Sequence, residues 1–362
     1  MERGSRIHRL VGADTSSGRT VLDVRYAANR RSSRFGLAVH RAALFGVLHR
    51  AVTAAGIAIE TSCEITGLEQ GASGARLLME EGRHAGPFDL VVDALGARSK
   101  LRGICEGARE AVELHYGAFW ASLDWVGEGF VPDALSQRYR RANVMIGVMP
   151  IGSIEPRDRQ KAAFFWSLKP ATAEAVRAAG LDRWKAEVEA LWPQTRAYLD
   201  QIETFDQLAL ARYGHHTLAR PASRRLAVIG DAAHSTSPQL GQGANMALLD
   251  AAALAHALAT APDTETALSA YCRARRLHVR LFQALSLALT PFYQSDSRFL
   301  PFLRDTLVAT VAKVPPAPAI MASMVAGMTL DPFSRIGLQE PDWERLVRRQ
   351  PETEKVLAGG TG

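Results

Sequence analysis

The chain has 362 residues, 47% of them apolar and 22% charged, with a formal net charge of +6. This length allows one or two domains with sizeable cores, and the composition excludes a disordered chain. The positive charge is scattered in short clusters (Arg30–Arg31, Arg138–Arg141, Arg273–Arg276) that read as solvated faces. No basic stretch is interleaved with stacking aromatics, so nucleic acid is not an expected partner.

Three cysteines, Cys63, Cys105 and Cys272, form neither a disulfide framework nor a zinc pattern, and no metal site is expected. The first residues lack an apolar signal segment, and no tract gathers the roughly 18 apolar residues of a membrane span. A cytoplasmic protein without a transmembrane segment is expected.

In chain order, Thr20–Val24 reads as a strand and Asn29–Arg34 as a basic turn. Residues 42–55 read as a helix, with Leu44, Val47, Leu48 and Val52 at helical spacing and Gly56 ending it. Ile57–Ile59, Cys63–Leu68, Ala75–Met79 and Asp89–Val92 read as strands. From about Leu114 to Leu210, strands at Ala118–Trp125, Asn143–Val148 and Ala162–Leu168 alternate with short helices near Ala171–Ala179 and Arg183–Leu191. The aromatics Phe119, Trp120, Phe164, Phe165 and Trp166 fall here and read as core before substrate cage.

A buried strand, Leu226–Ile229, then turns through Gly230-Asp231, crosses a loop with Pro238 and restarts as a helix at Gly241-Gln242-Gly243, continuing to about Leu258. Such a loop aims unpaired helix amides, with the positive end of the dipole behind them, at one point. Asp231, two residues past the strand, supplies an acceptor suited to polyol hydroxyls. A second helix, Thr264 to about Leu289, carries Tyr271 and Arg275 on one face and is expected to end before Pro291. Helices broken by a Pro315–Pro318 loop reach about Met328, and the tail beyond Lys355 reads as mobile.

The string Gly-Asp-Ala-Ala-His, three residues, Pro, two residues, Gly-x-Gly-x-Asn, then Asp250-Ala251, resembles the second flavin motif of the para-hydroxybenzoate hydroxylase-like FAD monooxygenases. The segment ending at Arg102 resembles the family's middle motif through Gly96, Ser99 and Arg102, with Leu95 where the motif carries Asp. The resemblance implies an α/β fold: a Rossmann-like FAD-binding domain, here truncated, with an inserted β-sheet substrate domain and C-terminal helices. The expected segments are 1–110 and 213–290 for FAD, 111–212 for substrate and 291–362 for the terminal helices and tail.

It also implies a cofactor site of Arg41, Gly230, Asp231, Pro238, Gly241, Gly243, Ala244 and Asn245. Asp231 would sit on the ribityl chain, Pro238 beside the ring, the amides from Gly241 to Asn245 on its pyrimidine edge, and Arg41 near phosphates or flavin. His234 reads as structural, His215 and His216 as exposed, and no catalytic base is named. The implied reaction uses FAD, NAD(P)H as reductant and molecular oxygen to hydroxylate an aromatic or similarly apolar ring.

A flavin-dependent reductase without oxygen insertion and a truncated, non-catalytic flavoprotein remnant are the alternatives. Phe165-Trp-Ser-Leu-Lys-Pro170 lacks the second Trp and the Ile of flavin halogenases, which disfavours that class. No G-x-G-x-x-G string occurs in the 362 residues, although the family's first βαβ unit carries one for the pyrophosphate. A start placed too late, a fragment and a divergent protein remain open explanations. Loss of that unit is expected to leave apolar sheet edges exposed.

Overall fold

The computed structural model describes residues 3–28 and 34–342. The basic turn and the tail beyond Lys355 lie wholly or mainly outside them. Strands β1 (Gly4–Ile7), β2 (Arg9–Asp14), β3 (Thr20–Arg25) and β4 (Gly36–Val39) precede helix α1 (Arg41–Ala54). Next come β5 (Ile65–Gln70), β6 (Ala75–Met79), β7 (His84–Phe88) and β8 (Val91–Asp93). Cys63 and Glu64 thus precede the strand expected there, and Ile57–Ile59 is not a strand. Both isoleucines are exposed, and no neighbouring strand takes up their backbone groups among the described residues.

The central region holds β9 (Val112–Glu113), β10 (Gly117–Asp124), β11 (Ala134–Arg140), β12 (Val144–Gly152) and β13 (Lys161–Leu168). Helices α2 (Ala173–Ala178), α3 (Leu181–Leu191) and α4 (Arg196–Leu199) follow, then β14 (Ala209–Ala211) and β15 (Gly214–His215). The large sheet has the order β14-β10-β13-β12-β11-β2-β3. Its β11–β2 pair is parallel, running from Ala134 beside Arg9 to Tyr139 beside Asp14. Residues 9–25 therefore belong to the sheet expected to cover the substrate, not to a cofactor-binding sheet as the expected 1–110 segment had it. In the sequence, β11 is marked only by the basic cluster Arg138–Arg141.

Period-two alternation splits the aromatics between the two faces of this sheet. Phe119, Phe164 and Trp166 pack with Trp184 and Val188 of α3, Trp192 just past its end and Tyr198 of α4 in the largest core. Trp120 and Phe165 point to the other face, with ring centroids 4.7 Å apart, and Trp120 Nε1 donates to Tyr213 Oη at 2.8 Å.

The rest of the chain contains β16 (Ala222–Ser223), β17 (Leu226–Val228), α5 (Gly243–Thr260), α6 (Thr264–Tyr293), α7 (Phe299–Leu303), α8 (Ala309–Val311) and α9 (Ala317–Val325). α9 thus begins inside the stretch expected to be a loop. Pro291 lies within the last turn of α6, not past it. A proline there removes one donor, from the carbonyl of residue 287, and Leu287 is exposed, where water can replace the bond.

β17 pairs in parallel with β8 in the three-stranded order β16-β17-β8. β8 is an edge strand, with Val92 and Leu95 exposed. α1 buries only Ala43, while Phe45, Val47 and Leu48 are exposed. Apolar side chains on α1 and around β8 are therefore exposed among the described residues. Among the described residues, no helix is long and apolar enough to cross a membrane.

Candidate cofactor site

The three buried residues of β17, Leu226–Val228, carry the chain to Gly230. Gly230 has φ +61°, and a Cβ there would stand 3.1 Å from Ala247 Cβ. Both the left-handed backbone and the close approach of α5 therefore call for glycine. The Gly230 N–H donates to Asp250 Oδ2 at 2.9 Å, and His234 Nε2 donates to the same oxygen at 2.6 Å. Arg275 Nε donates to Asp250 Oδ1 at 2.7 Å. Asp250, His234 and Arg275 are each at most 5% exposed. Burial pushes the Asp250 carboxyl up, but the bond and charge of His234 and the Arg275 guanidinium outweigh it, so its pKa lies below the ordinary carboxylate value.

The network continues outward. Arg275 Nη1 donates to His278 Nδ1 at 3.3 Å, and His278 Nε2 donates to the Gly327 carbonyl at 3.0 Å. These partners, one donor-only and one acceptor-only, assign the neutral Nε2–H tautomer. Tyr271 Oη, on the same face of α6, donates to the Val228 carbonyl at 2.8 Å. Helical spacing puts Tyr271 and Arg275 on one face, but their joint purpose emerges only from the fold. The available signal was Asp250, a carboxylate at helical spacing with the buried Met246, Leu249, Ala253 and Leu254.

Above this base the motif opens to solvent. Asp231, Pro238, Gly241, Ala244 and Asn245 are exposed and Gly243 is partly so. Asp231 Oδ1 is the one neighbour within 4 Å of a Cβ built on Gly243, and nothing lies within 4 Å of one built on Gly241. Gly241 is left-handed, with φ +63°, and ends the turn Pro238–Leu240. The first backbone bond at the start of α5 runs from Met246 N–H to Gln242 O at 2.9 Å, and Gln242 makes no side-chain cap. The amides of Gly243, Ala244 and Asn245 are therefore free of intrahelical acceptors, and a Cβ on Gly243 would lie 3.9 Å from the Asp231 carboxylate. The structure thus brings Gly230, Asp231, Gly241, Gly243, Ala244 and Asn245 together.

Arg41 stands apart from them in bonding. It is exposed at the first position of α1, and among the described residues no bond joins it to residues 230–245. Its neighbour His40 was missed: Nδ1 accepts from the Ala42 N–H at 3.1 Å, and Nε2 lies 2.9 Å from Ser122 Oγ on β10. One imidazole caps α1 and ties it to the large sheet.

The middle motif lies alongside, its turn Gly96–Arg98 packing on Gly230–Ala232. Leu95 is exposed and its N–H donates to Asp93 Oδ1 at 3.0 Å. Buried Asp93, at the end of β8, also accepts from Ser99 Oγ, which in turn accepts from the Leu101 N–H at 3.0 Å. Ser99→Ala is expected to cost about 1–3 kcal/mol in urea denaturation, because a buried carboxylate and an amide each lose a partner. An unchanged midpoint would show that this turn is not held by the serine.

His216 corrects an expectation, since it is 6% exposed, while His215 is partly buried. Burial lowers the His216 pKa and Arg102 adds to this, against the Ala232 carbonyl. Burial likewise lowers that of His278, assisted by Arg275 and opposed by the Gly327 carbonyl. Both titrate below the ordinary imidazole value of about 6.5. The unfolded chain then binds protons that the folded chain refuses. Stability is full above about pH 6.5 and falls as pH drops below it, by up to about 1.4 kcal/mol per unit for each histidine. Urea midpoints at pH 7.5, 6.5 and 5.5 should decline in that order, and less steeply in His278→Asn. A flat profile would contradict the buried neutral assignment.

A profile described as FAD binding domain matches residues 8–284. The chain is 28% identical over 320 residues to 3-(3-hydroxy-phenyl)propionate/3-hydroxycinnamic acid hydroxylase 2 of Burkholderia vietnamiensis, covering 81% of this chain and 55% of that protein. It is 28% identical over 279 residues to aurachin C monooxygenase/isomerase of Stigmatella aurantiaca, covering 75% of this chain and 68% of that one. The chain therefore spans about half to two thirds of these relatives. Klebsiella pneumoniae HpxO, solved with FAD and uric acid, superposes with a TM-score of 0.73 at 19% identity, over 90% of this chain and 82% of that chain. The tetrameric form of 2-methyl-3-hydroxypyridine-5-carboxylic acid oxygenase gives 0.67 at 19% identity, over 89% and 79%. These two likenesses establish the fold.

Proposed function

This chain belongs to the FAD binding domain family, and we propose that it is an FAD-dependent, NAD(P)H-consuming monooxygenase acting on an aromatic or similarly apolar ring. The observation that carries the reading is the start of α5. Three amides without intrahelical acceptors stand beside an exposed Asp231, which has no hydrogen-bond partner among the described residues, over a glycine turn with open space above it.

FAD, when bound, would supply the redox chemistry, taking two electrons from NAD(P)H and passing them to molecular oxygen, so that one oxygen atom enters the ring and the other leaves as water. The residues of this chain bind and orient. Asp231 accepts hydrogen bonds from ribityl hydroxyls. The α5 amides at Gly243, Ala244 and Asn245 stabilise negative charge on the pyrimidine edge without a basic side chain. Pro238 offers a flat apolar surface to the ring, and Gly230 and Gly241 give the turns their backbone geometry. Arg41 provides a cation for phosphate or flavin from the start of α1.

The Trp120–Phe165 face of the large sheet is the proposed cover for the substrate, the other three aromatics being committed to the core. The similarity to a 3-(3-hydroxy-phenyl)propionate/3-hydroxycinnamic acid hydroxylase supports an aromatic ring as substrate. Three free thiols fit a reducing compartment, and the cytoplasm is part of the proposal.

The test begins with the visible absorption of the chain after addition of FAD and gel filtration. Retained flavin bands are expected, followed by oxygen-coupled oxidation of NADH or NADPH that yields a hydroxylated ring product. Colourless protein after FAD addition would overturn the reading for these 362 residues. NAD(P)H oxidation without hydroxylated product would favour a reductase.

A further inference from the structure

We infer that the segment Val325–Gly327 is a positioning clamp on the start of α5, the helix that the proposed function assigns to the flavin ring; the inference deepens that reading and rests on it. Two side chains fasten the segment. Gln242 Nε2 donates to the Val325 carbonyl at 2.7 Å, while its Oε1 accepts from Asn245 Nδ2 at 2.8 Å. His278 Nε2 donates to the Gly327 carbonyl at 3.0 Å. Gln242 occupies the N-cap position of α5 without capping its own helix, so its amide is committed to the segment instead.

Gly327 permits the contact. Its φ is +73°, and a Cβ there would stand 2.5 Å from Gln242 Oε1 and 2.7 Å from Asn245 Nδ2. Any larger residue would have to displace the two side chains that flank the free amides of α5. Beyond His278 the chain of bonds runs through Arg275 and Asp250 to the Gly230 N–H. The clamp and the Asp231 turn are therefore two ends of one buried polar network.

The energetic reason for a clamp lies in what the α5 amides are proposed to do. Donors stabilise charge well only when fixed before the charge arrives. A helix start without a side-chain cap frays, and this one carries two glycines, Gly241 and Gly243. The segment supplies the restraint that a cap would give while leaving the amides free. Val325–Gly327 lies outside residues 8–284 matched by the family profile, so the restraint comes from a part of this chain that the profile does not describe.

Hydrogen exchange on the unloaded chain tests the clamp independently of cofactor. Gly327→Ala and Gln242→Met are each expected to speed exchange at Met246, Ala247 and Leu248 about tenfold, with the amides of β10, β12 and β13 unchanged. Gly327→Asn, whose side chain tolerates a positive φ but still brings a Cβ, should match Gly327→Ala. FAD affinity should fall about tenfold in the same variants.

Exchange at residues 246–248 equal to the parent chain in both Gly327→Ala and Gln242→Met would overturn the clamp, as would acceleration spread evenly over the molecule. Exchange accelerated locally with unaltered FAD affinity would overturn its role in positioning. A parent chain that takes up no FAD defeats the proposed function, and the exchange result then decides the clamp alone.

Discussion

Replacing Arg275 by methionine is expected to lower the unfolding free energy by about 3–5 kcal/mol, the range for removing one partner of a buried ion pair. Arg275 is 2% exposed and Asp250 is fully buried, so neither charge is screened by water. Without the guanidinium, Asp250 Oδ1 has no remaining donor, and the carboxylate keeps only the Gly230 N–H and His234, both on Oδ2. His278 also loses the donor to its Nδ1. Methionine fills a similar stem volume, which limits any cavity term and isolates the charge effect.

The double variant Arg275→Met/Asp250→Leu should recover only part of the loss. Removing the stranded carboxylate helps, but Gly230 and His234 are then left without their acceptor. Urea denaturation of the parent and the two variants measures this. A single variant within about 1 kcal/mol of the parent would mean that the pair is solvated or compensated in a way the geometry does not show.

Asp231→Ala is expected to weaken FAD binding by about tenfold to a hundredfold, the magnitude of losing a hydrogen bond to a charged acceptor, with little change in stability. Asp231 is exposed and bonds to no described residue, so its deletion strands nothing in the fold. Asp231→Asn keeps an acceptor and should lose less. His234→Ala gives the contrasting result. His234 is buried against Asp250 at 2.6 Å, so its removal should appear mainly as lost stability. Fluorescence titration with FAD, paired with denaturation of each variant, separates the two effects. Equal FAD affinity in Asp231→Ala and the parent would remove the ribityl assignment.

Sequence and structure agree where the physics is local. Leu226–Val228 is the buried strand expected from four successive apolar residues, and α5 starts at the second glycine of Gly241-Gln242-Gly243. Both outcomes follow from backbone geometry within a few residues. They part at Ile57–Ile59, where β-branched residues have no partner strand among the described residues, and at His216, whose burial depends on the loop 232–235 folding over it. Pro291 was placed outside α6 by a rule that weighs the lost donor, yet the helix accommodates that loss on its exposed side.

What the sequence by itself determined is the motif: glycines where the chain must turn left-handed, a carboxylate one residue beyond, and a helix with free first-turn amides. These depend on φ, on Cβ sterics and on peptide dipoles, all of which travel with the local string. Only the tertiary structure decided that residues 9–25 complete the large sheet, that Asp250 is neutralised by an arginine 25 positions away, and that Gly327 closes over Gln242 and Asn245. Alternation tells which face a strand buries but not which strand it joins. A lone buried charge shows that a partner is needed, and the packing of distant helices chooses which residue it is.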